Sequence, residues 1–112
     1  MLFATLRKYA MSLPEVTEQP HHEYGSFRVR GKIFVTFPPA RQHVHVFIPE
    51  QNRDPALALY PAFTEKLLWG GKVVGVRVSL ANAEARAVKR LVLQAWQAKA
   101  PRALLAAAQP RA

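Results

Sequence analysis

Cysteine is absent from this chain. Its absence removes disulfides, thiolate metal centres, iron–sulfur clusters and cysteine nucleophiles in one step. Acidic residues are scarce, seven Asp and Glu against sixteen Lys and Arg, which leaves a formal charge of +9. No apolar run approaches the roughly 20 residues that a membrane span requires. The motifs of common nucleotide- and acyl-handling enzymes are missing as well: there is no P-loop, no GxGxxG, no GxSxG elbow and no HExxH. A non-enzyme without cofactor or bound metal is therefore expected. In the opening segment the positive charge of Arg7 and Lys8 follows the apolar residues, the reverse of a secretory signal. With the missing cysteine, this leads us to expect a cytoplasmic location.

What is present describes a globular domain. Apolar residues make up 50% of 112 positions and include six Phe, three Tyr and two Trp, enough for one core and too short a chain for two. The charge is uneven. Up to Glu65, seven basic residues face six acids, a net of +1; from Lys66 onward nine basic residues face Glu84 alone, a net of +8. Such asymmetry points to a polyanionic partner, of which nucleic acid is the commonest.

The spacing of apolar residues predicts a helix over residues 2–12, ended by Pro14. Residues 15–24 read as a polar loop. Phe27 and Val29 alternate with Arg28 and Arg30, a strand that turns at Gly31 into a second strand over 32–37. A third strand, 43–48, closes at Pro49. Asp54-Pro55 resembles a helix start, giving a short helix over 55–60. A second hairpin is expected over 63–80 around Gly70-Gly71, and Asn82 as cap of a last helix over 83–98. The order α-β-β-β-α-β-β-α is an α+β fold, a single compact domain with an antiparallel sheet of about five strands and helices packed on it. The domain is expected over residues 1–108, with 109–112 a frayed tail.

Several of these segments resemble the YjbR family, also called MmcQ-like. The resemblance is carried by Leu13-Pro14-Glu15-Val16-Thr17-Glu18, by the run from Pro20 through His21-His22-Glu23-Tyr24 to Phe34, and by the late strand and last helix. It implies a double-wing α+β domain and, by fold analogy, DNA binding.

Three groups of residues carry that function in the sequence. Arg28, Arg30 and Lys32 decorate the first hairpin and can meet phosphates. Lys66, Trp69, Lys72 and Arg77 mark the second, where Trp69 beside two glycines can stack on a base. Arg86, Lys89 and Arg90 form a stripe along the last helix, opposite Val88, Leu91, Val92 and Trp96. Each group also has an ordinary reading: the first hairpin and the last helix as solvated charged surface, and Trp69 folded back as a satellite of the core. Their coincidence with the basic half favours double-stranded DNA, bound through its backbone with little sequence preference. Two other readings stand beside this one: a protein-interaction adaptor using a hairpin edge or Trp69, and a small-molecule or metal-dependent enzyme at His21, His22, His43 and His45. The last two share one strand face, but nothing in the spacing brings the two histidine pairs together.

Overall fold

The computed structural model describes residues 1–108, so the tail expected at 109–112 lies outside the described residues. Helix α1 (Phe3–Ser12) buries Leu6 and Ala10, one turn apart on one side. Leu13 is already extended (ψ 146°), as the ring of Pro14 demands, and the helix ends there.

The segment read as a polar loop is instead a strand. β1 (Val16–His21) pairs along its whole length with β2 (Tyr24–Val29), from Val16 opposite Val29 to His21 opposite Tyr24. Only Val16 is buried, so the strand shows no apolar alternation. It lies at the sheet edge, where Pro20 is tolerated because a missing N–H can face solvent. β3 (Lys32–Phe37), β4 (His43–Val46), β5 (Thr64–Trp69) and β6 (Lys72–Ser79) complete an antiparallel sheet in the order β1-β2-β3-β4-β6-β5, six strands rather than about five.

Both long hairpins close through two-residue turns. Arg30 and Gly31 have φ of 47° and 80°, Gly70 and Gly71 57° and 80°. Two consecutive positive φ values define the type I′ turn, whose twist matches that of the strands. Val46 lies opposite Val35 on one side and Val76 on the other. With every pair antiparallel, the two turns therefore emerge from the same end of the sheet. Gly75 permits the join between the two halves. A Cβ there would be driven into the carbonyl oxygen of Val46, so only glycine lets β6 lie this close to β4.

The helices differ from expectation at their starts. Helix α2 (Glu50–Leu59) begins well before Asp54-Pro55 and holds Pro55 in its interior. Its first turn is fixed from outside: the Arg53 guanidinium donates to the carbonyls of Ile48 (3.0 Å) and Val73 (2.9 Å). Pro55 and Gln51 both face solvent, so the carbonyl that Pro55 cannot bond is open to water. Helix α3 (Ala85–Lys99) has Glu84, not Asn82, at its N-cap position, with no side-chain capping bond; Asn82 instead ends a 3-10 turn, Leu80–Asn82. Ala100 before Pro101 is extended (ψ 142°) and ends α3. A short helix, α4 (Arg102–Ala108), follows and buries Leu104.

All four helices send buried side chains into one apolar cluster, Leu6 and Ala10 from α1, Ala56 from α2, Val88 to Trp96 from α3 and Leu104 from α4. That cluster lies on the sheet face of Phe27, Val35, Val46 and Val76, which sit side by side across four strands. Among the described residues the opposite face carries no helix.

Candidate nucleic-acid interface

The uncovered face is built from the alternate positions of the same strands. Gln19, Ser26, Thr36, His45, Arg77 and Glu65 form one row across the sheet, each directly opposite the next. The row is closed by its own hydrogen bonds. The Ser26 hydroxyl donates to the Gln19 carbonyl at 2.7 Å. Thr36 Oγ1 and His45 Nδ1 are 3.1 Å apart, and Arg77 reaches Glu65 Oε1 at 3.0 Å and His43 Nδ1 at 3.2 Å. A guanidinium can only donate, so His43 must accept at Nδ1 and carry its proton on Nε2. Arg77 Nε is buried without a partner among the described residues.

Aromatic rings stand over this polar floor. Tyr24 lies 5.7 Å from the His45 ring, Trp69 6.4 Å and His43 5.3 Å; Phe47 meets Trp69 edge-on at 5.0 Å. Together they leave His45 only 6% exposed. Burial, with the charges expected of His43 and Arg77, pushes the His45 imidazole down to about 4. His43 is also lowered, by burial and by Arg77, against the opposing pull of Glu65. The linkage has a definite sign. The unfolded imidazole takes its proton near the ordinary 6.5 and the folded one only near about 4, so acid favours the unfolded chain across that window. Between pH 6.5 and 4, His45 is expected to withdraw about 2 kcal/mol of stability. Denaturant titrations at both pH values check this: His45→Asn, which keeps an acceptor for Thr36, should lose about that much less than the parent.

The candidates from the first hairpin do not all point one way. Arg28 shares the uncovered face, but its Nε donates to Ser26 (3.1 Å) and its Nη2 to the Pro20 carbonyl (3.1 Å), which hold it against the sheet. Arg30, in the turn, forms a two-pronged pair with Glu15 at 3.0 Å on both arms. That hydrogen bonding holds the Glu15 carboxyl below the usual carboxylate range. Lys32 lies opposite Val29, on the side of the helices, and is exposed with no ion pair among the described residues. An exposed pair such as Arg30–Glu15 adds little to folding. Glu15→Gln is thus expected to leave the melting temperature nearly unchanged while releasing Arg30, and to tighten duplex DNA binding several-fold in an anisotropy titration.

In the second hairpin a register shift at Leu67/Leu68 leaves an extra residue in β6. It brings Lys72, opposite Trp69 at the tip, onto the uncovered face that Trp69 shares with Glu65. Lys66 lies opposite Val76 and points to the helix side instead. Arg77 shares the uncovered face but is engaged by Glu65. The α3 stripe is elsewhere. Arg86, Lys89 and Arg90 lie in the first half of α3, at the end of the sheet remote from the hairpin turns and on the layer behind it. There Lys89 caps the Tyr9 ring at 5.7 Å and lines a groove with Lys8 between α1 and α3. The structure therefore joins Arg28, Trp69, Lys72 and Arg77 on one face, sets Arg30 and Lys32 at the neighbouring tip, and separates Lys66 and the α3 stripe from both.

His43 and His45 share a face as expected, but they belong to this network. His21 and His22 lie with their rings 4.8 Å apart and tilted by 58° near the far turn, where His22 has a positive φ of 56°. Among the described residues no group of three His, Asp or Glu side chains is placed to hold a metal. Tyr24, Thr36 and Ser26 were not singled out by the sequence. The available signal was the alternation of polar with apolar residues in β2 (Ser26, Arg28) and β4 (His43, His45).

A single antiparallel sheet with helices on one face and two hairpin tips at one end defines an α+β domain. The chain matches the YjbR family over residues 11–98 and belongs to that family. No curated protein and no solved structure matches it. No helix among the described residues is long and apolar enough to cross a membrane.

Proposed function

We propose that this YjbR-family domain binds double-stranded DNA through backbone phosphates, with little sequence preference and without a catalytic role. The observation that carries the reading is the common direction of the two wings. Lys32 at one tip and Lys72 at the other emerge from the same end of the sheet, both exposed and without an ion pair among the described residues. The net charge of +9 supplies the field that draws a polyanion toward them. Arg28 and Arg30 flank the first tip, and Trp69 the second. In this reading the cations on α3 add to the long-range field without touching the duplex.

Binding of a generic duplex, followed by anisotropy at several salt concentrations, tests the proposal. With about four phosphates neutralised, log affinity should fall against log salt with a slope of roughly −3.6. Undetectable binding at low salt, or binding indifferent to salt, would reject it.

A further inference from the structure

The backbone reading leaves unused the feature that distinguishes the uncovered face, its standing aromatic rings. We infer that this face is a stacking platform for unpaired nucleobases, with Tyr24 and Trp69 as the rings on which bases lie, so that DNA containing an unpaired stretch is preferred over a closed duplex. The inference rests on the nucleic-acid reading and narrows it to one kind of strand.

The floor of the face is polar and, apart from Arg77 Nε, hydrogen-bonded within itself. Ser26, Thr36, His45, His43, Arg77 and Glu65 bond to one another or to backbone. Such a floor needs no apolar partner to cover it, which disfavours a protein docked on the sheet. What rises from it is aromatic: Tyr24 is 37% exposed and Trp69 47%. They approach His45 from β2 and from β5, at 5.7 and 6.4 Å, and so flank the middle of the sheet. The contacts of Trp69 are edge-to-face, at 90° with His45 and 66° with Phe47; among the described residues no ring lies flat on it. Phe47 props the indole upright instead of hiding it.

A closed duplex cannot use such rings, because its base faces are stacked on each other. An unpaired strand offers both a π-face to every ring and a phosphate to every cation. The free cation on the same face is Lys72, beside Trp69 and without an ion pair among the described residues; Arg28 and Arg77 add positive charge from positions held by Ser26 and Glu65. A sheet backed by helices, with rings on its open side, is a geometry that single strands exploit by stacking.

The chain provides its own probe. It has two tryptophans, and Trp96 is only 2% exposed, so a stacked base can quench Trp69 alone. Emission would be followed while the protein is titrated with oligothymidylate, with a closed duplex, and with the same duplex carrying a central mismatched bubble. Oligothymidylate and the bubble should quench and bind more tightly than the closed duplex. Trp69→Ala and Tyr24→Ala should each weaken binding of oligothymidylate roughly ten- to a hundred-fold and closed-duplex binding no more than about twofold, with Trp69→Phe restoring most of the loss. Circular dichroism checks that each variant is folded. Salt-dependent binding of all three ligands with equal affinity and no quenching would overturn the platform and leave the backbone reading intact. Failure to bind any of the three would overturn both.

Discussion

Replacing Trp96 with alanine is expected to remove about 3–5 kcal/mol of folding stability, the range for a large aromatic deleted from a packed core. Trp96 sits on the last full turn of α3 and is almost completely buried. Its indole Nε1 donates to the carbonyl of Pro14 at 3.2 Å, a residue 82 positions away in the connection between α1 and β1. One side chain thus fills the core, anchors the end of α3 and ties down the chain where it leaves the helical layer for the sheet edge. Against a total stability of about 5–15 kcal/mol, its loss takes a large fraction. The melting temperature of a domain this size should drop by roughly 10–20 °C in a thermal melt. Trp96→Phe keeps most of the volume and forfeits the N–H donor, so its loss should be nearer 1–2 kcal/mol. Trp69→Ala, made in the same way, should move the melting temperature little, because that ring packs on Phe47 by one edge only. Two similar losses at positions 69 and 96 would mean that the anchoring assigned to Trp96 is wrong.

The contrast between the tryptophans also shows what the sequence reveals and what it hides. Trp96 shares a helical face with Val88, Leu91 and Val92, and that 3.6-residue period makes its burial legible. The same holds for Phe27 and Val29, which alternate with arginines, and for the stops at Pro14 and Pro101. Each of these is a local pattern. β1 has none, since one buried valine and four exposed polar or proline residues make a strand only because β2 offers its edge. Helix α2 fails the same way. Its start is decided by Arg53 reaching Val73, twenty residues on, and not by Asp54-Pro55.

The site is harder to read than the fold for a related reason. The row from Ser26 to Glu65 exists because β4 lies beside β6, an adjacency that no spacing along the chain expresses. The bulge in each hairpin shifts which residues share a face. At the second it brings Lys72 forward to the face of Trp69; at the first, between Phe27 and Arg28, it leaves Lys32 on the helix side. The acids matter as much. Glu15 and Glu65 look like scattered surface charge in the sequence, yet in the fold they occupy two of the cations that a count of arginines would offer to DNA.

A pair of charge-matched variants separates geometry from net charge. Arg30→Gln, Lys32→Gln and Lys72→Gln together remove three charges from the wing tips; Arg86→Gln, Lys89→Gln and Arg90→Gln remove three from α3. If binding were a matter of total charge, both sets would weaken it equally. If the wings hold the phosphates, the first set should lower duplex affinity roughly a hundred- to a thousand-fold at low salt and flatten the log–log salt slope by about three, one unit for each lost contact. The α3 set should lower it less than about tenfold, by weakening the field alone, and leave the slope nearly unchanged. Neither set removes a buried apolar group, and the polar part of Lys89 is replaced by another polar group beside Tyr9, so both proteins should melt close to the parent. Equal losses from the two sets would remove the wings from the interface. A larger loss from the α3 set would move the duplex to the helical layer, into the groove that Lys8 and Lys89 line between α1 and α3.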